Sequence, residues 1–183
     1  MDSSEMTDRV RAWWNETSDS EWYRSLRSDE RIRRLQEKPE SAFHPAVYAL
    51  IRKYLPDLEG RHVLLPSSGD NHAAFALAMM GARVTSADIS ERQLENASAI
   101  AGRLCLDIEF VCDDTMKLSG IRDRAYDMVY TSNGTLSWIS DIDGMNRNIF
   151  RVLKTGSDPV MIAPVRQTVF RGSGKSPGSQ ALS

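Results

Sequence analysis

Cysteine is nearly absent from the chain: Cys105 and Cys112 are the only two among 183 residues. Two cysteines cannot build a disulfide framework. Without a neighbouring His/Cys cluster they do not suggest a metal centre, so no metal ligands are expected. Both read as small buried apolar residues in a reducing cytoplasm. Charge of one sign is lacking as well. Lys and Arg number 23 against 25 Asp and Glu, for a net charge of -2, which provides no electrostatic footprint for a nucleic acid or a membrane surface. No apolar run approaches the roughly 20 residues that cross a bilayer. The first residues carry Asp2, Glu5 and Asp8 instead of the apolar stretch of a signal peptide. These absences lead to the expectation of a cytoplasmic protein of single-domain length that binds neither nucleic acid nor membrane.

What is present is an alternation of helical and strand-like segments. Residues 1–60 read as a helical lid. Val10, Trp13 and Trp14, then Trp22, Tyr23 and Leu26, recur at helical spacing, Ser28 precedes the acids Asp29 and Glu30, and a further helix runs from Pro45 to Tyr54. From Arg61 the pattern changes. Apolar runs at His62–Leu65, Arg83–Ala87, Asp107–Cys112, Tyr126–Tyr130 and Pro159–Val165 read as strands, separated by helical stretches at 70–80, 90–104 and 141–153. Strands alternating with helices imply an α/β domain over 61–165, a mostly parallel sheet with helices on both faces and right-handed crossovers. Residues 166–183 are rich in Gly and Ser and are expected to be a flexible tail.

The chemistry falls at the strand ends, where parallel sheets bind ligands. Glycine is scarce where it would be most diagnostic. The turn Pro66-Ser67-Ser68-Gly69-Asp70-Asn71 holds one glycine, which disfavours the three-glycine pyrophosphate cradle of an NAD enzyme. Small residues there still allow close approach of a ligand to the backbone and to the following helix N-terminus. Asp88 ends the second strand 19 positions beyond Gly69, placed to accept hydrogen bonds from both hydroxyls of a ribose. Asp113-Asp114-Thr115-Met116 follows the third strand. These residues suit either an adenine pocket, with Met116 against the ring, or a solvated loop. Asn133 lies in Thr131-Ser132-Asn133-Gly134, which is strand-end chemistry or a turn. Trp138 is a pocket wall or a core residue. Trp13, Trp14, Trp22 and Tyr23 form either an aromatic cage for a cation or, more commonly, the packing face of the leading helices.

With these residues in view, the stretch from Val63 to Gly156 resembles the class I (Rossmann-like) S-adenosylmethionine-dependent methyltransferases, specifically a subgroup from Gram-positive bacteria. The segments that carry the resemblance are LLPSSGDNHAAFALAMMGARVTSADISERQLENA, IEFVCDDTMKL, YDMVYTSNGTLSWI and NIFRVLKTG. The resemblance implies a seven-stranded sheet, S-adenosyl-L-methionine as cofactor and a small-molecule methyl acceptor. It implies that Ser67, Ser68, Gly69, Asp70 and Asn71 cradle the methionine end, and that Asp88 binds the ribose with Ile89 against the adenine. Asp114 and Thr115 then fall near the adenine and Asn133 near the sulfonium. No catalytic base is required, since the sulfonium is already activated; Tyr23 and His44 are candidate substrate-side groups. After Gly156 the resemblance is lost. The expectation is therefore a sheet ending near Val165 without its last strands, with an edge at Val160, Met161 and Ile162 open to self-association. A cofactor-binding but inactive remnant is the competing reading.

Overall fold

The computed structural model describes residues 3–131, 135–155, 160–163 and 168–171, and the side chains of residues 5–131 and 135–155. Four helices lead: α1 Ser3–Thr17, α2 Glu21–Leu26, α3 Asp29–Glu37 and α4 Pro45–Tyr54. Then β1 His62–Pro66, α5 His72–Met79, β2 Arg83–Asp88, α6 Glu91–Arg103, β3 Ile108–Cys112, β4 Met128–Tyr130, α7 Ile142–Val152, β5 Val160–Ala163 and β6 Thr168–Arg171 follow. The strands form one sheet in the order β3-β2-β1-β4-β5-β6, in which the first five run parallel. This is the Rossmann-like α/β fold, and its strand order reverses between β1 and β4.

The sequence dictates most of this locally. In β1, Val63 and Leu65 enter the core shared with α3, α4 and α5, whereas Leu64 enters the core formed with α7. A strand with both faces buried must be apolar throughout, as parallel strands between two helical layers are. Side-chain caps set several helix starts. Ser90 accepts from the Gln93 amide at α6, Asn71 from the Ala73 amide at α5, and Asp141 from the Gly144 amide at α7. Ser28 marks the start of α3, but its side chain makes no cap hydrogen bond.

Helix α1 is clasped to the start of α6. The Asn15 amide nitrogen donates to Glu91 (2.9 Å), and its oxygen accepts from Ser90 Oγ (2.6 Å) and the Arg92 amide (3.2 Å). Arg92 also pairs with Asp19 (2.7 Å), and Arg11 Nε donates to the Ile89 carbonyl (3.3 Å).

The expectation for the end of the chain is corrected. The sheet does not stop near Val165, because β6 pairs antiparallel with β5, with Val160 opposite Arg171 and Ala163 opposite Thr168. Of the strands expected to be missing, one position is therefore filled. Four residues beside a Gly- and Ser-rich stretch carry almost no periodicity of their own, and an edge strand needs only its neighbour's free backbone groups. It follows that Val160, Met161 and Ile162, paired on both sides, are not the free edge expected of them. The rest of the expected tail, 166–167 and 172–183, lies outside the described residues. Among the described residues no helix is long and apolar enough to cross a membrane.

Candidate functional site

The carboxyl ends of β1, β2 and β4 open into a cavity of about 640 Å³, within the range of small-molecule sites. The turn after β1 supplies Ser67 to His72, the end of β2 supplies Asp88 and Ile89, and the loop after β3 supplies Asp114, Thr115 and Met116. Gln93, Tyr130 and Thr135 add to this wall.

The β1 turn is built as a rigid cradle. Ser67 and Gly69 both adopt left-handed backbone, with φ of 49° and 55°. The Gly69 amide donates to Asp88 Oδ2 (2.7 Å), and the Asp70 amide donates to Gln93 Oε1 (3.1 Å). Ser67 Oγ bonds Thr115 Oγ1 (2.7 Å), which ties the first strand end to the third. Ser68 faces inward, bonded to Ser86 Oγ (2.7 Å). A Cβ on Gly69 would meet Gln93 Oε1 at 3.0 Å, in backbone that side chains rarely adopt. Gly69→Val is therefore expected to weaken S-adenosylhomocysteine binding at least about tenfold while far-ultraviolet circular dichroism stays unchanged. Calorimetric titration measures it, and equal affinity would remove the cradle.

Asp88 is the electrostatic centre of the site. Its side chain is almost fully buried, and burial pushes its pKa up to about 6, against the hydrogen bonds from the Ser90 and Gly69 amides that stabilise the charge. Each carboxylate oxygen keeps a lone pair beyond its one backbone donor, so ribose hydroxyls have acceptors. The sign of the pH dependence follows. The carboxylate prevails above about pH 6 and is lost below it. S-adenosylhomocysteine affinity is thus expected to be flat above pH 7 and to fall by up to about tenfold per pH unit below 6, a profile that calorimetry across pH 5–8 reads directly. For the unliganded fold the sign is opposite. The folded state holds this proton more tightly than the unfolded chain does, so the group costs stability as pH rises from about 4 to about 6.

The loop after β3 divides its work. Asp113 does not line the cavity, contrary to expectation. Its carboxylate braces the loop by accepting from the Asp114 amide (2.7 Å) and the Gly120 amide (2.7 Å). Asp114 does line the cavity, and its Oδ2 is buried without a hydrogen-bond partner, with Lys117 at 3.7 Å. An orphaned carboxylate oxygen there is an acceptor awaiting a donor, such as an exocyclic amino group. A donor for Asp114, diols for Asp88 and close backbone approach at Gly69 are jointly what an adenosine-bearing cofactor requires. Met116 lines the same cavity, its sulfur accepting from Ser140 Oγ (3.3 Å). Asn133 lies outside the described residues.

The opposite wall comes from α1 and α2. Tyr23 lines the cavity; burial first, then the nearby Asp70 and Asp88 charges, raise its pKa, so it stays a neutral donor. Trp138 also lines the cavity, stacked on Trp13 at 4.9 Å. His44 is not among the lining residues: it is exposed and caps α4, Nδ1 accepting from the Ala46 amide (3.3 Å).

Three residues not singled out by the sequence shape the site. Arg27 donates to the buried Asp70 carboxylate (2.5 Å), so the Asp70 side chain serves this pair while its backbone forms the cradle. Burial nevertheless outweighs Arg27 and raises the Asp70 pKa. His72 bonds the Leu26 carbonyl (2.9 Å), an acceptor, so Nε2 carries the proton. Burial lowers the His72 pKa, which keeps the ring neutral. Gln93, two positions into α6, holds the cradle from below. Only the position of His72 directly after the motif could have flagged it; Arg27 and Gln93 reach the site through tertiary structure.

The switch point of this Rossmann-like sheet carries a tight turn, a buried strand-end acid and a second acid with one oxygen lacking a hydrogen-bond partner, at the place where open α/β sheets bind ligands. The chain belongs to the methyltransferase-domain family, whose profile matches residues 63–156, just over half its length. No curated protein matches it by sequence. It is similar in structure to the magnesium protoporphyrin IX methyltransferase of Synechocystis with bound S-adenosylhomocysteine, at 22% identity over 81% of this chain and 68% of that one, with a TM-score of 0.61. It is also similar to the Haemonchus contortus phosphoethanolamine N-methyltransferase in complex with phosphoethanolamine and S-adenosylhomocysteine, at 20% identity over 88% of this chain and 32% of that one, TM-score 0.62. The [4+2]-cyclase SpnF shares 26% identity over 62% of this chain and 42% of that one, TM-score 0.54. The chain spans roughly half the length of several of the solved structures it matches.

Proposed function

We propose that this chain binds S-adenosyl-L-methionine and transfers its methyl group to a small molecule in the cytoplasm. The observation that carries the reading is a pair of acids on one cavity wall, the buried Asp88 and the half-buried Asp114. Asp88 spans the cradle at Gly69, and Asp114 has an oxygen left without a donor. Bound here, the cofactor would supply an already activated methyl on its sulfonium. The chain's share is then positioning. Gly69 and Asp70 present the cradle, Asp88 and Asp114 fix the nucleoside, and α1 and α2 screen the reacting centre from water. Alignment and desolvation of this kind reach effective molarities on the order of 10⁵ M, so no side-chain base is assigned.

The test has two stages. Calorimetry is expected to give micromolar binding of S-adenosylhomocysteine and none of NAD. Radiolabelled methyl from S-adenosyl-L-methionine is then expected to enter a small-molecule fraction of a bacterial metabolite extract. NAD binding in place of S-adenosylhomocysteine would overturn the assignment. Binding without any methyl transfer would instead favour a regulatory, inactive module.

A further inference from the structure

The two leading helices present an apolar surface that no core claims. Met6, Val10 and Trp14 recur every four residues on one face of α1 and all line the cavity; Trp22 and Leu26 do the same from α2. None of these side chains belongs to either hydrophobic core cluster, and α2 has no buried residue at all. Met6 and Trp22 stand 42% and 66% exposed. Trp14 packs on the domain through Trp138, whereas the exposed Met6 and Trp22 faces are not used in helix packing. Trp138 extends the same wall, its ring centroid 4.9 Å from Trp13 and 5.1 Å from Trp14.

Charge accounting narrows the occupant. Three carboxylates line the cavity. Asp70 is neutralised by Arg27 at 2.5 Å, and Asp88 and Asp114 sit on the opposite wall, assigned above to the nucleoside. None is left to pair a cation at the helical side. The charged lining residue that remains is Arg31, which is positive and forms no ion pair among the described residues. The indoles do not form a cation cage either. Trp13 stacks on Trp138 with 26° between the rings, and Trp14 packs edge-on against Trp13 (83°), Tyr23 (82°) and Trp138 (67°). A cage needs open ring faces converging on one point; here the rings pack against each other and present a continuous apolar wall.

We infer that the methyl acceptor is an apolar, ring-bearing small molecule without positive charge, seated against the wall that the α1–α2 face forms together with Trp138. This deepens the methyl-transfer reading above and rests on it. Burial of the exposed Met6 and Trp22 surface supplies the binding free energy, and the absence of a counter-ion rejects amines.

The test uses the full chain and two probes of matched size, 2-naphthol and 2-naphthylmethylammonium, titrated calorimetrically after saturation with S-adenosylhomocysteine. 2-Naphthol is expected to bind at least about tenfold more tightly than the ammonium, and Trp22→Ala to weaken it about three- to tenfold. Trp22 makes no described ring contact, so this variant leaves the aromatic cluster intact. Equal or tighter binding of the ammonium would overturn the inference. So would no binding of either probe to a chain that does bind S-adenosylhomocysteine, and in that case the methyl-transfer reading stands. Failure of S-adenosylhomocysteine itself to bind would remove both.

Discussion

Asp88→Ala is expected to bind S-adenosylhomocysteine roughly 10- to 150-fold more weakly than the parent chain. Hydrogen bonds to a charged acceptor are worth about 1.5–3 kcal/mol, and here the acceptor is buried. The variant also releases the Gly69 and Ser90 amides, which Asp88 now accepts at 2.7 and 2.9 Å. Some of the loss is thus loss of the cradle. Asp88→Glu separates the two contributions, since it keeps the charge but moves it by one methylene. Titration of both variants, with thermal melts to establish folding, decides it: an alanine variant that is folded and binds with parental affinity removes Asp88 from the site.

Arg27→Met is expected to be the most destabilising single change at the site. It strands the Asp70 carboxylate, whose side chain is only 6% exposed, without its counter-ion. Breaking such a pair costs about 3–5 kcal/mol while the remaining group stays charged. At about 2–4 °C per kcal/mol for a chain of this size, Tm should fall by roughly 6–20 °C near pH 8. The loss should shrink toward pH 5, because burial already raises the Asp70 pKa and protonation then relieves the stranded charge. The double variant Arg27→Met with Asp70→Asn should recover much of the loss. A single variant with parental Tm at both pH values would show that the pair is solvated in solution.

The sheet was legible because its central strands are apolar on both faces. Val63, Leu64 and Leu65 cannot be read as anything but a buried segment, and Ser90 and Pro45 mark helix starts by local chemistry alone. The strand-end acids were legible for the same reason, since Asp88 and Asp114 follow strands whose ends could be located. What escaped was set by tertiary neighbours. Asp113 and Asp114 are adjacent and chemically identical, yet one braces a loop and the other faces the cavity, a difference decided by which way each points from the backbone. His44 was the candidate in sequence and His72 was not, yet a local cap claims His44, and His72, bonded to a carbonyl 46 positions away, lines the cavity. The tail strand escaped because backbone pairing, not side-chain pattern, recruits it to β5.

The clasp between α1 and α6 has a kinetic consequence. Asn15, Arg11 and Asp19 hold the helix by hydrogen bonds and ion pairs at the cavity rim, and such exposed pairs are worth about 0.2–1 kcal/mol each. No residue of the two core clusters lies on α1, and its apolar tie is the contact of Trp13 and Trp14 with Trp138, so it is held more weakly than the sheet. One of its ties, Arg11 to the Ile89 carbonyl, sits directly beside the nucleoside wall. Under the proposed function, exchange of spent for fresh cofactor would be coupled to segmental opening of α1. Helix opening of this kind runs on a microsecond-to-millisecond scale.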